Sequence, residues 1–221
     1  MKTIAIIPSR GGSKRLPNKN MLLLGDIPLI AHSILYAQKN NAIIDEVYVS
    51  TDDEGIKQIA LQYGAKGIDR PANLSGDFEP TVTALKHCLE IIEDNVDNVV
   101  LLQPTSPLRS ENLLKEAFEK YQKLNCDSLF TVTRTYQKLG KINNNKFTPF
   151  NYKIGQRSQD LDPLYFENGL LYISKAKLIL EEKILSKKAF PMIINHPFSS
   201  VDIDTQNDLD YANFLMKTNE K

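Results

Sequence analysis

Short runs of apolar and β-branched residues alternate with longer amphipathic segments over residues 3–133. The runs have the length and composition of buried strands, and the longer segments repeat apolar residues at helical spacing. This pattern predicts five strands, at 3–9, 45–52, 65–68, 98–103 and 127–133, separated by helices at 28–40, 52–65, 80–93 and 111–124. Such alternation favours a mostly parallel, doubly wound α/β sheet, in which ligands bind at the carboxyl ends of the strands.

Local signals set the expected helix ends. Pro28 and Pro80 begin the first and third helices, and Gly64 ends the second. Proline suits the first turn of a helix, and glycine adopts the left-handed conformation that terminates one. Ser110 is predicted to cap the helix at 111–124.

The alternation stops after the fifth strand. Residues 134–168 show no clear period, and KINNNKFTPFN within them is typical of a hairpin. A strand at 169–174, a helix to about 187, extended segments at 191–195 and 199–204, and a helix over 205–217 are expected to follow. We interpret the chain as a single domain, 1–221, with an excursion at about 134–168 that serves function or an interface.

The composition argues against several classes of function. The formal net charge is zero, which argues against non-specific nucleic-acid binding. Two cysteines without a CxxC pair, and no apolar stretch long enough for a signal peptide or a membrane span, predict a cytoplasmic protein without membrane partners.

The strongest chemical signal is RGGSKRLPNKN, residues 10–20, directly after the first strand. It carries two glycines and the cations Arg10, Lys14, Arg15 and Lys19. The segment matches neither GxxxxGK[ST] nor GxGxxG, which disfavours an ATPase and a dinucleotide oxidoreductase. A phosphate-binding loop for nucleotidyl transfer is the functional interpretation, with Lys19 and Arg10 stabilising charge on the phosphate. A solvated basic turn is the alternative.

Other polar residues follow the predicted strands. Asp202 and Asp204 in VDIDT would point to the same side of a strand and share a hard cation, although Asp204 as a helix cap is an alternative. Arg70, Gln103 and Arg109 lie in loops expected at the ligand-binding edge, as binding or structural groups. Asp52 and Asp53 are explained by helix capping, and the three histidines fit no zinc spacing.

Five segments then resemble, in order, the signature motifs of the acylneuraminate cytidylyltransferases, the CMP-sialic acid synthetases. The segments are IPSRGGSKRLPNKN, RPANLSGD, LLQPTSPLR, RSQDLDPLYFENGLLYI and VDIDTQNDLD, and the resemblance runs from residue 4 to about residue 210. The resemblance implies a Rossmann-like nucleotidyltransferase fold with an inserted dimerisation arm, and hence a homodimer. It also implies a reaction in which CTP and a nine-carbon keto acid sugar give the CMP-sugar and pyrophosphate, with Mg²⁺.

The resemblance also assigns residues by position. The triphosphate would be held by Arg10, Ser13, Lys14 and Lys19, the cytidine by Asn20, Arg70 and Thr81, the acid sugar by Gln103, Arg157 and Tyr172, and Mg²⁺ by Asp202 and Asp204.

Several acid sugars stay open as substrates. The segment QPTSPLR favours N-acetylneuraminate over pseudaminic acid, whereas legionaminic acid shares the ring and carboxylate of sialic acid. Kdo-type enzymes usually show an RLPGKPL-like loop where this chain has RLPNKN. A non-catalytic nucleotide-binding scaffold would be expected to lose Lys19 or the Asp202/Asp204 pair, and both are present.

Overall fold

The structure, a computed structural model, describes residues 1–219; Glu220 and Lys221, which the predicted domain 1–221 includes, lie outside the described residues. The strands are β1 Thr3–Pro8, β2 Leu23–Leu24, β3 Ile27–Pro28, β4 Glu46–Thr51, β5 Lys66–Asp69, β6 Asn98–Leu101, β7 Ser128–Thr135, β8 Gly140–Asn143, β9 Lys146–Pro149, β10 Leu164–Lys175 and β11 Phe190–Ile193. The α-helices are α1 Leu29–Lys39, α2 Glu54–Gln62, α3 Thr81–Ile91, α4 Leu113–Leu124, α5 Ala176–Leu180 and α6 Gln206–Asn219.

Seven of these strands form one sheet in the order β11-β7-β10-β6-β1-β4-β5. Strand β1 runs parallel to β4 and β6, and β4 parallel to β5. Strand β10 is antiparallel to both of its neighbours, β6 and β7, while β11 is parallel to β7. The prediction of a mostly parallel sheet is therefore confirmed, with β10 as the antiparallel strand.

Helices cover both faces of this sheet, which explains the uninterrupted apolar run of β1. Ile4 and Ile6 are fully buried in a cluster with α3 and α5. Ala5 and Ile7 are buried on the opposite face, in a cluster with α1, α2 and α4. Because successive side chains of a strand point to opposite faces, a strand buried on both sides needs apolar residues at every position.

A third apolar cluster anchors the basic loop after β1. Leu16, in the middle of that loop, packs with Leu24 of the β2–β3 ribbon and with Leu209 and Ala212 of α6. Ile203, just before α6, is fully buried in the same cluster. The C-terminal helix thus holds the basic loop against the edge of the sheet.

Some local predictions were wrong. Asn112, not Ser110, precedes α4, and Ser110 contributes its carbonyl, which accepts a hydrogen bond from the Leu113 amide at 3.1 Å. Helix α5 ends at Leu180 rather than near 187, because Glu182 adopts a left-handed conformation (φ 60°) and the Lys183 amide bonds back to the Leu178 carbonyl. Residues 201–204 are loop, not strand.

The excursion is shorter than predicted, because residues 134–135 complete β7 and 164–168 begin β10. We call residues 136–163 the arm. The arm contains the expected hairpin, β8–β9, whose turn residues Asn144 and Asn145 have φ of 49° and 60°. Asparagine tolerates this left-handed conformation, which two-residue hairpin turns require.

Candidate active site

Loops that follow β1, β5 and β6 surround a cavity of about 560 Å³, the nucleotide cavity. Most of the predicted ligand-binding residues line it: Arg10, Ser13, Lys14, Lys19, Asn20, Arg70, Thr81, Gln103 and Asp204. The cavity lies where the carboxyl ends of parallel strands meet, which is the position at which open α/β sheets bind ligands. The loops after β1, β5 and β6, among them those that carry Arg70 and Gln103, therefore meet at one edge of the sheet.

Contacts to the neighbouring strand shape the basic loop. The Gly11 amide donates to Asp52 Oδ1 at 3.0 Å. A Cβ at Gly11 would lie 2.7 Å from Asp53 Oδ2, so the backbone approaches this closely because residue 11 is glycine. The side chain of Asn20 ties the two ends of the loop together by donating to the Arg10 carbonyl at 3.1 Å.

The four cations of this loop are paired with two carboxylates. Lys19 Nζ lies 2.8 Å from Asp204 Oδ1, and an Arg15 guanidinium nitrogen lies 2.5 Å from Asp204 Oδ2. Arg10 Nη1 lies 2.9 Å from Asp77 Oδ1, and Lys14 contacts the other oxygen of Asp77. The hydrogen bond from Lys14 lowers the pKa of Asp77, so this carboxylate is ionised at neutral pH.

Arg70 is a buried cation in the cavity wall. Its Nε donates to Ser75 Oγ at 3.1 Å, and its Nη2 lies 3.8 Å from Asp52 Oδ1, beyond hydrogen-bond distance. Nη2 is buried and has no hydrogen-bond partner among the described residues. Burial lowers the pKa of Arg70. A buried donor left without a partner costs free energy, so a ligand acceptor placed there would be favoured.

A smaller cavity of about 170 Å³, the side cavity, adjoins the nucleotide cavity, and Gln103 lines both. Tyr172 and Asp202 line the side cavity, together with Ser106, Glu167, Ser199 and Ser200. The hydroxyl of Tyr172 donates to Glu167 Oε2 at 3.0 Å. Burial raises the pKa of Tyr172, so its hydroxyl stays protonated at neutral pH.

Arg109 is a structural residue beneath these cavities. Its Nε donates to the Leu170 carbonyl at 2.6 Å, one Nη to Ser33 Oγ at 3.0 Å, and the other Nη to the Gln103 carbonyl at 2.9 Å. Burial lowers the pKa of Arg109 to about 10. These bonds fix the loop after β6 against β10, and the side chain faces the protein rather than a ligand.

Asn168 organises the neighbouring bend in β10, a role that sequence reasoning missed. Its Oδ1 accepts hydrogen bonds from Thr131 Oγ1 at 2.6 Å and from the Leu170 amide at 3.1 Å, and its Nδ2 donates to Thr133 Oγ1 at 3.0 Å. The pairing of β10 shifts register between Glu167 and Tyr172, and Gly169 has φ 72°. The Asn-Gly dipeptide inside an apolar strand was the available signal for this bulge.

The VDIDT segment places its two carboxylates in different cavities, Asp204 in the nucleotide cavity and Asp202 in the side cavity. The Ile203 amide donates to the Thr105 carbonyl at 2.7 Å, which holds the segment against the loop after β6. Asp204 does not cap α6, because Thr205 and Asp208 bond reciprocally at the helix start.

Asp202 and Asp204 are the two carboxylates that the sequence analysis expected to bind Mg²⁺. Among the described residues, no group of three or more His, Cys, Asp or Glu could hold a metal ion without other ligands. Mg²⁺ commonly takes one or two carboxylates together with substrate phosphates. Asp202 and Asp204, which line different cavities, would therefore hold Mg²⁺ only together with phosphate groups of a bound nucleotide.

Arg157 lies apart from the other predicted site residues. It is exposed on the arm, where its Nε lies 2.7 Å from Asp160 Oδ2, and it is not among the residues that line the two cavities. Sequence reasoning did not foresee the contacts of Asp77, Asp52 and Arg15, which appear only when distant loops come together. Helix α2 is capped by Asp53, whereas Asp52, also explained by capping in the sequence analysis, accepts from the Gly11 amide.

The fold and the cavity define a class: an α/β protein with a ligand cavity at the carboxyl ends of its parallel strands and a basic, glycine-containing loop after β1. The Cytidylyltransferase family model matches residues 4–220, and the chain belongs to this family of nucleotidyltransferases. No helix within residues 1–219 is long and apolar enough to cross a membrane.

Named relatives and a solved structure agree with this assignment. The chain is 38% identical to the pseudaminic acid cytidylyltransferase of Campylobacter jejuni strain 81-176, over 100% of this chain and 99% of that protein. It is 36% identical to the N-acylneuraminate cytidylyltransferase of Streptococcus agalactiae strain NEM316, over 94% of this chain and 52% of that protein. A structure of CMP:2-keto-3-deoxy-manno-octonic acid synthetase complexed with CTP superposes with a TM-score of 0.73 at 19% identity, covering 99% of both chains. This likeness supports the Rossmann-like nucleotidyltransferase fold.

Proposed function

We propose that the protein transfers CMP from CTP to a nine-carbon keto acid sugar and releases pyrophosphate. The observation that carries this proposal is the pair of adjoining cavities. One is bordered by the four cations of the loop after β1 and by Arg70, the other by hydroxyl and carboxylate groups, and Gln103 lines both. A triphosphate suits the first cavity, and a polyhydroxylated sugar suits the second.

In the proposed reaction, the anomeric hydroxyl at C2 of the sugar attacks the α-phosphorus of CTP in line and displaces pyrophosphate. Lys19 stabilises charge on the α-phosphate oxygens, and Arg10 and Lys14 hold the leaving group, with Ser13 also on the triphosphate. Asn20, Arg70 and Thr81 contact the cytidine, and the free Nη2 of Arg70 is suited to accepting groups of the base or ribose. Phosphoryl-type transfer relies mainly on positioning and charge stabilisation, so a strong general base is not required.

Asp202 and Asp204 are the proposed Mg²⁺ ligands. When bound, the metal would neutralise negative charge on the phosphates and on the leaving pyrophosphate. Asp204 is paired with Lys19 and Arg15 in the structure, so its carboxylate has to exchange those contacts as the nucleotide binds.

Asp204→Asn tests this assignment, because it keeps the size of the side chain and removes its charge. We expect the Mg²⁺ concentration for half-maximal activity to rise about tenfold, and Mn²⁺ binding in the presence of CTP, followed by electron paramagnetic resonance, to weaken. An unchanged metal titration would contradict a role for Asp204 as a ligand.

For the acid sugar, Gln103 and Tyr172 are placed to make contacts, and Arg157 is a third candidate carried by the arm. Two observations favour different sugars. The QPTSPLR segment favours N-acetylneuraminate, and the full-length similarity to the Campylobacter relative favours pseudaminic acid.

The decisive experiment is a pyrophosphate-release assay with CTP and a panel of acid sugars. The panel contains N-acetylneuraminic, pseudaminic, legionaminic and Kdo acids. We expect a nine-carbon sugar to give the highest kcat/KM, and its identity decides between the candidates. If none of these sugars supports pyrophosphate release, the proposal is refuted, and a nucleotide-binding scaffold becomes the preferred interpretation.

We also propose that the protein works as a homodimer in the cytoplasm. The dimer proposal is supported by apolar residues of the arm that are exposed in the single chain, among them Ile142, Phe147, Phe150 and Ile154. The cytoplasm is supported by the two cysteines, Cys88 and Cys126, which are free thiols, as is usual in a reducing compartment.

A further inference from the structure

The loop between β5 and α3 reaches across the nucleotide cavity. Its start is fixed, because Ser75 Oγ accepts from Arg70 Nε at 3.1 Å and donates to the Pro71 carbonyl at 3.1 Å. We call residues 76–79 the loop tip. Of the hydrogen bonds and ion pairs found within residues 1–219, those that join the loop tip to another segment are made by Asp77, to Arg10 and Lys14.

The partners of Asp77 are the two cations that the proposed reaction gives to the leaving group. A carboxylate and a phosphate offer such cations the same chemistry, two anionic oxygens that accept charge-assisted hydrogen bonds. Asp77 and the β- and γ-phosphates therefore compete for Arg10 and Lys14. The competition can be reversible, because both ion pairs lie at partly exposed positions, where such pairs are weak.

We propose that Asp77 is a built-in competitor of the leaving group. Its carboxylate holds Arg10 and Lys14 in the empty cavity, yields them to the phosphates of CTP, and returns to them as pyrophosphate departs. The inference rests on the proposed function, because it takes pyrophosphate as the product. Asp77 acts through the two cations and is thus a positioning residue, whose effect falls on product release and on the position of the loop tip.

Asp77→Asn is the variant that tests the proposal, with Glu79→Gln as the matched control. Glu79 belongs to the same loop tip and lines the same cavity, and none of the ion pairs among the described residues involves it. Both substitutions remove one negative charge and keep side-chain size. The control therefore measures the effect of net charge near the cavity, and Asp77→Asn adds the loss of the two direct contacts.

The measurement is isothermal titration calorimetry of the full-length protein with inorganic pyrophosphate. We expect Asp77→Asn to bind pyrophosphate about three- to tenfold more tightly than the wild type, as loss of two exposed ion pairs implies, and Glu79→Gln to change affinity less than about twofold. The inhibition constant of pyrophosphate in turnover should fall by the same factor in Asp77→Asn. Equal affinities of the two variants, or weaker binding by Asp77→Asn, would overturn the inference.

A fluorescent reporter follows the loop tip directly. The chain contains no tryptophan, and Phe78, next to Asp77, is 100% exposed. In a Phe78→Trp protein, pyrophosphate should lower the anisotropy of the single tryptophan as the tip is released. In the double variant Phe78→Trp with Asp77→Asn, the tryptophan anisotropy should already be low before pyrophosphate is added. A high anisotropy in the double variant without pyrophosphate would contradict the proposal that Asp77 holds the loop tip.

The role of Asp77 and the proposed function can be refuted separately. Wild-type protein that binds pyrophosphate with the same affinity as Asp77→Asn would refute the role of Asp77 and leave the proposed function intact. Wild-type protein that binds neither CTP nor pyrophosphate would refute the proposed function and the inference with it.

Discussion

The four cations of the loop after β1 have equal charge but very different surroundings. The side chain of Lys19 is 9% exposed, whereas that of Lys14 is 78% exposed. A charge in a buried site interacts more strongly with a ligand than one in water, and a packed side chain is held in position before the reaction. Burial therefore singles out Lys19 as the cation suited to transition-state stabilisation, and Lys14 as a weaker phosphate anchor.

Lys19→Ala should lower kcat by roughly 10²–10³, the scale observed when one preorganised charge-stabilising donor is removed. CTP affinity should fall less, because Arg10, Lys14 and the loop amides remain. Arg15→Ala is the control, since it removes the other cation on Asp204 from an exposed position, and it should reduce kcat less than about tenfold. Steady-state kinetics and CTP titration make the comparison. Weaker CTP binding with an unchanged kcat would make Lys19 a ground-state anchor and move the catalytic role to Arg10.

The cations of this site could be predicted from sequence because they lie within one short loop after a recognisable strand. Asp77 and Asp52 could not be given their roles in this way. Asp77 lies in a different loop from its partners Arg10 and Lys14, and no local pattern shows which carboxylate a cation will meet. Long-range ion pairs depend on how the strands are ordered in the sheet. The spacing of apolar and polar residues along the chain does not predict that order.

At the scale of elements, the bulge in β10 connects the fold to the side cavity. Gly169 adopts φ 72°, and a Cβ there would lie 2.7 Å from both Gln103 Oε1 and Ser106 Oγ. Glycine at this position lets the strand approach the loop after β6 closely enough to support the side chain of Gln103. The bulge thus lies against Gln103, which borders both cavities.

Gly169→Ala should displace Gln103 and raise KM for the acid sugar about tenfold, with a change of less than about twofold in CTP affinity. Gly155→Ala is a matched control, because Gly155 has φ 88° but its Cβ would meet no atom within 4 Å. Both variants impose left-handed strain, and only the first brings a clash against Gln103. Sugar and CTP titrations of the two proteins check this, and equal KM values would refute a positioning role for Gly169.

The VDIDT segment shows where element prediction fails. Its alternation of apolar and acidic residues is typical of a half-buried strand, yet it is a loop. Val201 and Ile203 are buried against α6 and the β2–β3 ribbon, so the apolar positions satisfy a loop-to-helix contact instead of a sheet. Burial of every second residue can arise in any extended segment. It does not show that the segment forms hydrogen bonds with a neighbouring strand.

At the scale of the whole molecule, the arm explains the direction of β10. Parallel neighbours need a crossover, usually a helix, whereas a chain that returns without one pairs antiparallel. Residues 136–163 supply no α-helix between β7 and β10, and the two strands are antiparallel. The sequence predicted the α/β class and the excursion, but not that the returning strand inserts between β7 and β6. We propose that this single sheet forms the core of one domain.

The arm also carries the last prediction, which concerns assembly. Ile154 is 88% exposed, and Phe150, four residues before it in the arm, is mostly exposed as well. Exposed apolar groups on the arm, which carries the β8–β9 hairpin, are typical of an interface, and burying them against a second copy would remove them from water. Light scattering at micromolar concentration should give twice the chain mass of 25.0 kDa.

The double variant Phe150→Glu with Ile154→Glu should shift the protein to the chain mass, since burying two carboxylates in an apolar interface is unfavourable. Lys146→Glu alters charge on the same hairpin without exposing or burying an apolar group, and it should leave the dimer intact. A wild-type monomer with full activity would refute the dimer.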